Sequence, residues 1–143
     1  MVNNAIASLT EWLEKKGYEV SLTARTCYID YDLKEVGINN CGKKLYALYS
    51  LAHEAGHLLL YKNKKYGIEY RSVSYAENID ARHGKSRMYR YKKLSEEINA
   101  WESGYKLLTK LGYKINYEDY SWYASRWVNT YIKYLAKSNG PTE

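Results

Sequence analysis

The sequence of 143 residues predicts one α+β domain, a small N-terminal β-sheet and helix packed on a core of three helices. Three observations lead there. Short runs rich in β-branched and aromatic residues are confined to positions 18–38, a stretch with almost no breaker covers 45–61, and two further helical patterns follow position 94. A hydrophobic content of 45% fills one core at this length, so residues 1–143 are read as a single domain.

Ile6, Leu9 and Leu13 share one helical face with Trp12 beside them, and Gly17 stops the pattern, which gives a helix over about 4–16. Extended runs at 18–22 and 27–31 flank a Thr-Ala-Arg turn, and a shorter one follows at 35–38. Asn39, Asn40 and Gly42 form a turn. The run 45–61 then reads as a long buried helix at the centre of the molecule. Residues 62–93 hold no sustained periodicity and contain Gly67 and Gly84, so a long loop is expected, with a hairpin around 68–73. A helix over 94–111 ends on Gly112 in a left-handed cap. Asn116, with Asp119 three residues on, caps a last helix running to about 136.

No apolar run approaches the roughly 20 residues of a membrane-spanning helix. The first twelve residues carry neither a basic n-region nor an apolar h-region, so an intracellular, cytoplasmic location is expected. Cys27 and Cys41 are too few for a disulfide framework and are expected as free thiols. The aromatic residues are 18 Tyr and 4 Trp with no Phe, so every ring carries a polar atom that needs a partner when buried. Many of them are therefore expected at the surface or in a wet cleft.

The chemistry concentrates in His53-Glu54-Ala55-Gly56-His57, an HExxH motif inside the long helix. Residues four apart lie on one helical face, so both imidazoles reach one metal ion, and Glu54, about 100° round from His53, reaches water beside it. With three His and twelve Glu in the chain, a chance HExxH arises in about one such sequence in several hundred. Gly56 allows a neighbouring element to approach. A catalytic zinc site needs a third protein ligand. The metzincin extension is excluded, because Leu60 and Asn63 stand where it requires Gly and His. A carboxylate from the next helix remains, from among Glu96, Glu97 and Glu102. Glu97 shares a face with Ala100, Trp101, Gly104 and Leu108, whose small members permit close packing on the HExxH helix. His83, in the basic loop, is an alternative ligand or an oxyanion donor. Tyr61, Tyr75 and Tyr105 are oxyanion candidates by position.

The run Ser50 to Leu60, followed by Glu97-Ile98-Asn99-Ala100, resembles the ImmA/IrrE-type zinc metallopeptidases of bacteria and their mobile elements. The resemblance covers about 44–108 and implies a zincin-like, gluzincin-type fold. It also implies Zn2+ held by His53, His57 and Glu97, Glu54 as general base, and endopeptidase action on a protein or peptide. The chain departs from that family at Trp101, Gly104 and Leu107-Leu108, where no proline follows, and in its long basic insertion. Its short form is similar to the small stand-alone metallopeptidases of phages and prophages.

Residues 62–93 carry ten basic side chains against three acidic ones, whereas the rest of the chain is close to neutral. Tyr66, Tyr70, Tyr75, Tyr89 and Tyr91 lie among them. Three readings stay open: a solvated loop, a rim attracting an acidic protein, or a nucleic-acid surface. The rival to an enzyme is a non-catalytic zincin-fold binding or inhibitory protein that contacts a host protein or nucleic acid through this loop. A purely helical structural module would hold no metal. Oligomeric state has no signature in the sequence.

Overall fold

A computed structural model describes residues 1–63 and 87–139. The order is α1 (Val2–Lys15), β1 (Glu19–Ser21), β2 (Tyr28–Asp30), β3 (Glu35–Gly37), α2 (Lys44–Lys62), α3 (Arg87–Lys110) and α4 (Tyr117–Asn139). This is an α+β arrangement of one small sheet and four helices among the described residues. The three strands and four helices expected within the described residues are present, with the strands trimmed to three residues each.

α1 buries Ala5, Leu9 and Leu13 and closes at Gly17, whose φ of +90° only glycine adopts without strain. The Tyr18 amide donates to the Leu13 carbonyl and the Gly17 amide to that of Glu14, a Schellman ending that turns the chain into β1. β3 lies between the other two strands, parallel to β1 and antiparallel to β2. The register aligns Val20, Val36 and Ile29, and β2 is left as an edge.

α2 is buried almost all round from Ala47 to Leu60, packed against α1, β2, α3 and α4. Its closest partner is α3, and glycines set the distance. A Cβ at Gly56 would collide with the Ala100 carbonyl oxygen, and one at Gly104 with the Ala52 carbonyl oxygen. The two helices therefore touch backbone to backbone, as the small residues of both helices anticipated.

α3 departs from expectation at its start. Residues 87–93, assigned to the loop by the sequence, are helical. Their side chains favour a helix, and Tyr89 is buried with Leu135 of α4, against Leu94 and Tyr131. The rest of the basic segment, 64–86, including the expected hairpin, lies outside the described residues. α3 ends as predicted: Gly112 has φ +97°, its amide donates to the Thr109 carbonyl, and the Tyr113 amide to that of Leu108.

Asn116 caps α4, its Oδ1 accepting the Asp119 amide at 2.9 Å. Asp119 in turn accepts the Tyr49 hydroxyl at 2.7 Å and ties α4 to α2. The aromatic expectation is half met. Trp122, Trp127 and Tyr134 are exposed, but Tyr49 and Tyr120 are among the most buried side chains. Their hydroxyls find partners inside, Tyr120 on the Trp101 carbonyl and Tyr49 on Asp119, so a wet cleft is not needed to satisfy them. No helix among the described residues is long and apolar enough to cross a membrane.

Candidate metal centre

α2 and α3 supply the whole cluster. One turn of α2 places His53 and His57 side by side, ring centroids 4.5 Å apart, and α3 crosses so that Glu97 meets both rings. Glu97 Oε2 stands 3.0 Å from Nε2 of His53, and its Oε1 stands 3.4 Å from Nε2 of His57. One ligating atom from each of the three lies within 4.8 Å of the others. Glu97 is thus the carboxylate that meets both histidine rings through their Nε2 atoms. Glu102 is turned away to accept the Tyr117 hydroxyl at 2.8 Å.

Two more carboxylates close the cluster. Glu54 Oε2 is 3.6 Å from Nδ1 of His53, and Glu96 Oε1 is 3.5 Å from Nδ1 of His57. Glu54 and Glu96 are both buried. Burial opposes protonation of His57, but the Glu97 charge, hydrogen bonding to Glu96 and Glu97 and the Glu54 charge outweigh it and hold the ring up at about 10. For His53, burial and the His57 charge pull downward, and hydrogen bonds to Glu54 and Glu97 prevail upward. Burial alone would raise Glu97, but the two histidines hold its carboxyl well below the usual carboxylate range. The site is therefore a sink for positive charge. Two imidazoles and one carboxylate converging in such a field fit a divalent metal, and His₂Glu is a donor set that zinc takes in hydrolytic sites.

The surroundings hold the two imidazoles in place. The Trp101 indole stacks on His53, and Tyr31 donates from its hydroxyl to the His57 carbonyl at 3.3 Å while its ring stacks on Tyr61. Burial, then Glu96 and Glu54, push the Tyr31 hydroxyl far above its ordinary value, so it remains a neutral donor. His53, Glu54, His57 and Glu97 line a cavity of about 820 Å3. Arg25, Thr26 and Cys27, just ahead of the edge strand, line it too, as do Tyr123, Trp127, Tyr131 and Tyr134 of α4. Cys27 and Cys41 are exposed free thiols in the same lining.

Several sequence expectations do not reach the site. Tyr61 stacks on Tyr31 outside the cavity lining, and Tyr105 donates to the Ile115 carbonyl at 3.2 Å. The described phenols that do line the cavity belong to α4, with Tyr123 Oη 3.3 Å from Ser50 Oγ. His83 and Tyr75 lie outside the described residues. The sequence reading missed the parts played by Trp101, Tyr31 and α4. The i, i+4 spacing of Tyr123, Trp127 and Tyr131 marks one face of α4, but not what that face borders.

No family model, curated protein or solved structure matches this chain. Its own geometry has to carry the functional reading.

Proposed function

We propose that this chain is a zinc-dependent endopeptidase with a zincin-like centre, in which His53, His57 and Glu97 hold the ion and Glu54 is the general base. The observation that carries the reading is the convergence of both HExxH histidines on Glu97 of a second helix, at the wall of an open cavity. When bound, zinc supplies Lewis acidity toward water and toward a peptide carbonyl.

The chain's own residues supply the rest. Glu54 follows His53 on the helix and lines the cavity, so its carboxylate can take a proton from the attacking water and return it to the leaving amine. Trp101 and the buried α2–α3 seam shield the histidines from bulk solvent. The cavity between the residues ahead of β2 and the aromatic face of α4 is large enough for several residues of an extended peptide.

Elemental analysis of protein purified without a His tag, paired with peptide hydrolysis by wild type and Glu54→Gln, tests the reading. One zinc per chain and hydrolysis lost in Glu54→Gln are expected. Bound zinc without hydrolysis by the wild type would instead favour the non-catalytic binding protein, and absence of zinc would end the peptidase reading.

A further inference from the structure

Glu96 is a buried carboxylate that the proposed reaction does not use. It neighbours Glu97 on α3, yet the 100° step between successive helical residues sends it to the opposite side of the same imidazole. Glu97 faces Nε2 of His57 at 3.4 Å, and Glu96 faces Nδ1 at 3.5 Å. Its other oxygen, Oε2, has no hydrogen-bond partner among the described residues, and the Lys93 ammonium stands 3.9 Å from it. A carboxylate held so deep needs a compensating donor, and the His57 ring is the one its Oε1 faces.

A neutral imidazole has one N–H, and the acceptor beside one nitrogen decides where that proton resides. We propose that Glu96 is a positioning residue for the metal centre: it accepts the Nδ1 proton of His57, locks the ring's orientation and leaves Nε2, the nitrogen facing Glu97, as the one that would hold the ion. This rests on the metal-centre reading above. Glu96 is then an outer partner of the ion, not a ligand, and its negative charge also makes His57 a stronger donor. The two adjacent glutamates have separate roles because they straddle one ring.

The test is metal affinity, read by competition of Zn2+ and Co2+ against a chromophoric chelator, for wild type, Glu96→Gln, Glu96→Leu, Glu96→Ala and Glu102→Gln. The expected order is wild type tightest, Glu96→Gln weaker and Glu96→Ala weakest, with a loss of about 10- to 100-fold for Ala. Glu102→Gln, on the same helix but outside the cluster, should match wild type. Histidine 15N–1H spectra of the zinc-loaded wild type should place the His57 proton on Nδ1, and the Co2+ absorption bands should shift in the Glu96 variants. Glu96→Gln preserves the side-chain volume, so a space-filling role predicts full rescue by Gln. Affinity of Glu96→Leu, which keeps the bulk but has no acceptor for the Nδ1 proton, within twofold of wild type and with unchanged Co2+ bands overturns the assignment even if Glu96→Ala fails to fold. A wild type that binds neither ion overturns the metal centre itself, an outcome visible before any variant is made.

Discussion

The Trp101 indole lies flat on the His53 imidazole, centroids 4.1 Å apart and planes within 10°. Trp101 is buried at the α2–α3 seam, and its carbonyl accepts the Tyr120 hydroxyl, so the platform under His53 is itself anchored to α4. Trp101→Ala should therefore lower stability by about 3–5 kcal/mol and free the ring to leave its ligating position. Trp101→Phe keeps a flat partner and should retain much of the metal affinity. Thermal unfolding and zinc titration of both variants check this, and equal zinc affinity in Trp101→Ala would show that stacking does not orient the ligand.

Base and ligand separate by substitution. Glu54→Gln keeps the shape and an acceptor oxygen beside Nδ1 of His53, so zinc should stay bound while peptide hydrolysis falls by about 10²–10⁴-fold or more. Glu97→Ala removes the one carboxylate that spans both Nε2 atoms, and metal binding should fail outright. Elemental analysis after gel filtration reads both. Equal loss of zinc from the two variants would mean that the roles of Glu54 and Glu97 are wrongly divided.

The approach of α2 to α3 is a prerequisite for the cluster. An added methyl at Gly56 has no soft side chain to displace, only the Ala100 carbonyl and the Gly104 backbone. Gly56→Ala should cost about 1–3 kcal/mol or more through overpacking, and Gly104→Ala, against the Ala52 carbonyl, should behave alike. Because the helices must separate to accommodate either methyl, zinc affinity should drop with stability. A Gly56→Ala protein with wild-type melting temperature and zinc affinity would contradict the backbone contact.

Local rules made much of this legible in the sequence. The i, i+4 spacing of His53 and His57 needs only helical geometry, and Gly17, Gly112 and Asn116 mark helix ends through backbone conformation and capping that each residue carries by itself. Glu97 was reachable because Ala100 and Gly104 identified the face that packs. What stayed hidden depends on contacts distant in sequence. Tyr31 meets the His57 carbonyl across 26 positions, and Tyr89 is buried against Leu135 of a later helix. Glu96 presented itself only as a rival to Glu97, since a one-dimensional pattern does not show that one imidazole has two nitrogens to serve.

The charge balance gives the cluster a pH signature. The folded-state pKa of His57 lies above its ordinary value, near 10 against 6.5, so its contribution to the stability of EDTA-treated protein is complete below about pH 6.5 and lost as pH rises through about 10. Glu97 has the opposite sign. Its carboxyl is held below the ordinary 4.5, so its contribution is complete above that value and lost as pH falls below it. Metal-free protein should thus be most stable between about pH 4.5 and 6.5 as far as this pair is concerned, and decline toward pH 10. Zinc competes with protons for the same nitrogens, so its affinity, and the rise in melting temperature it confers, should grow as pH rises toward about 10. With His57 protonated at pH 7 and His53 also shifted upward, zinc binding at that pH should release more than one proton per ion. Calorimetric titration with zinc in two buffers of different ionisation enthalpy measures that number directly. Zinc binding with no proton release would mean that the histidines are neutral before the ion arrives, and that the carboxylates do not hold the charge this geometry assigns to them.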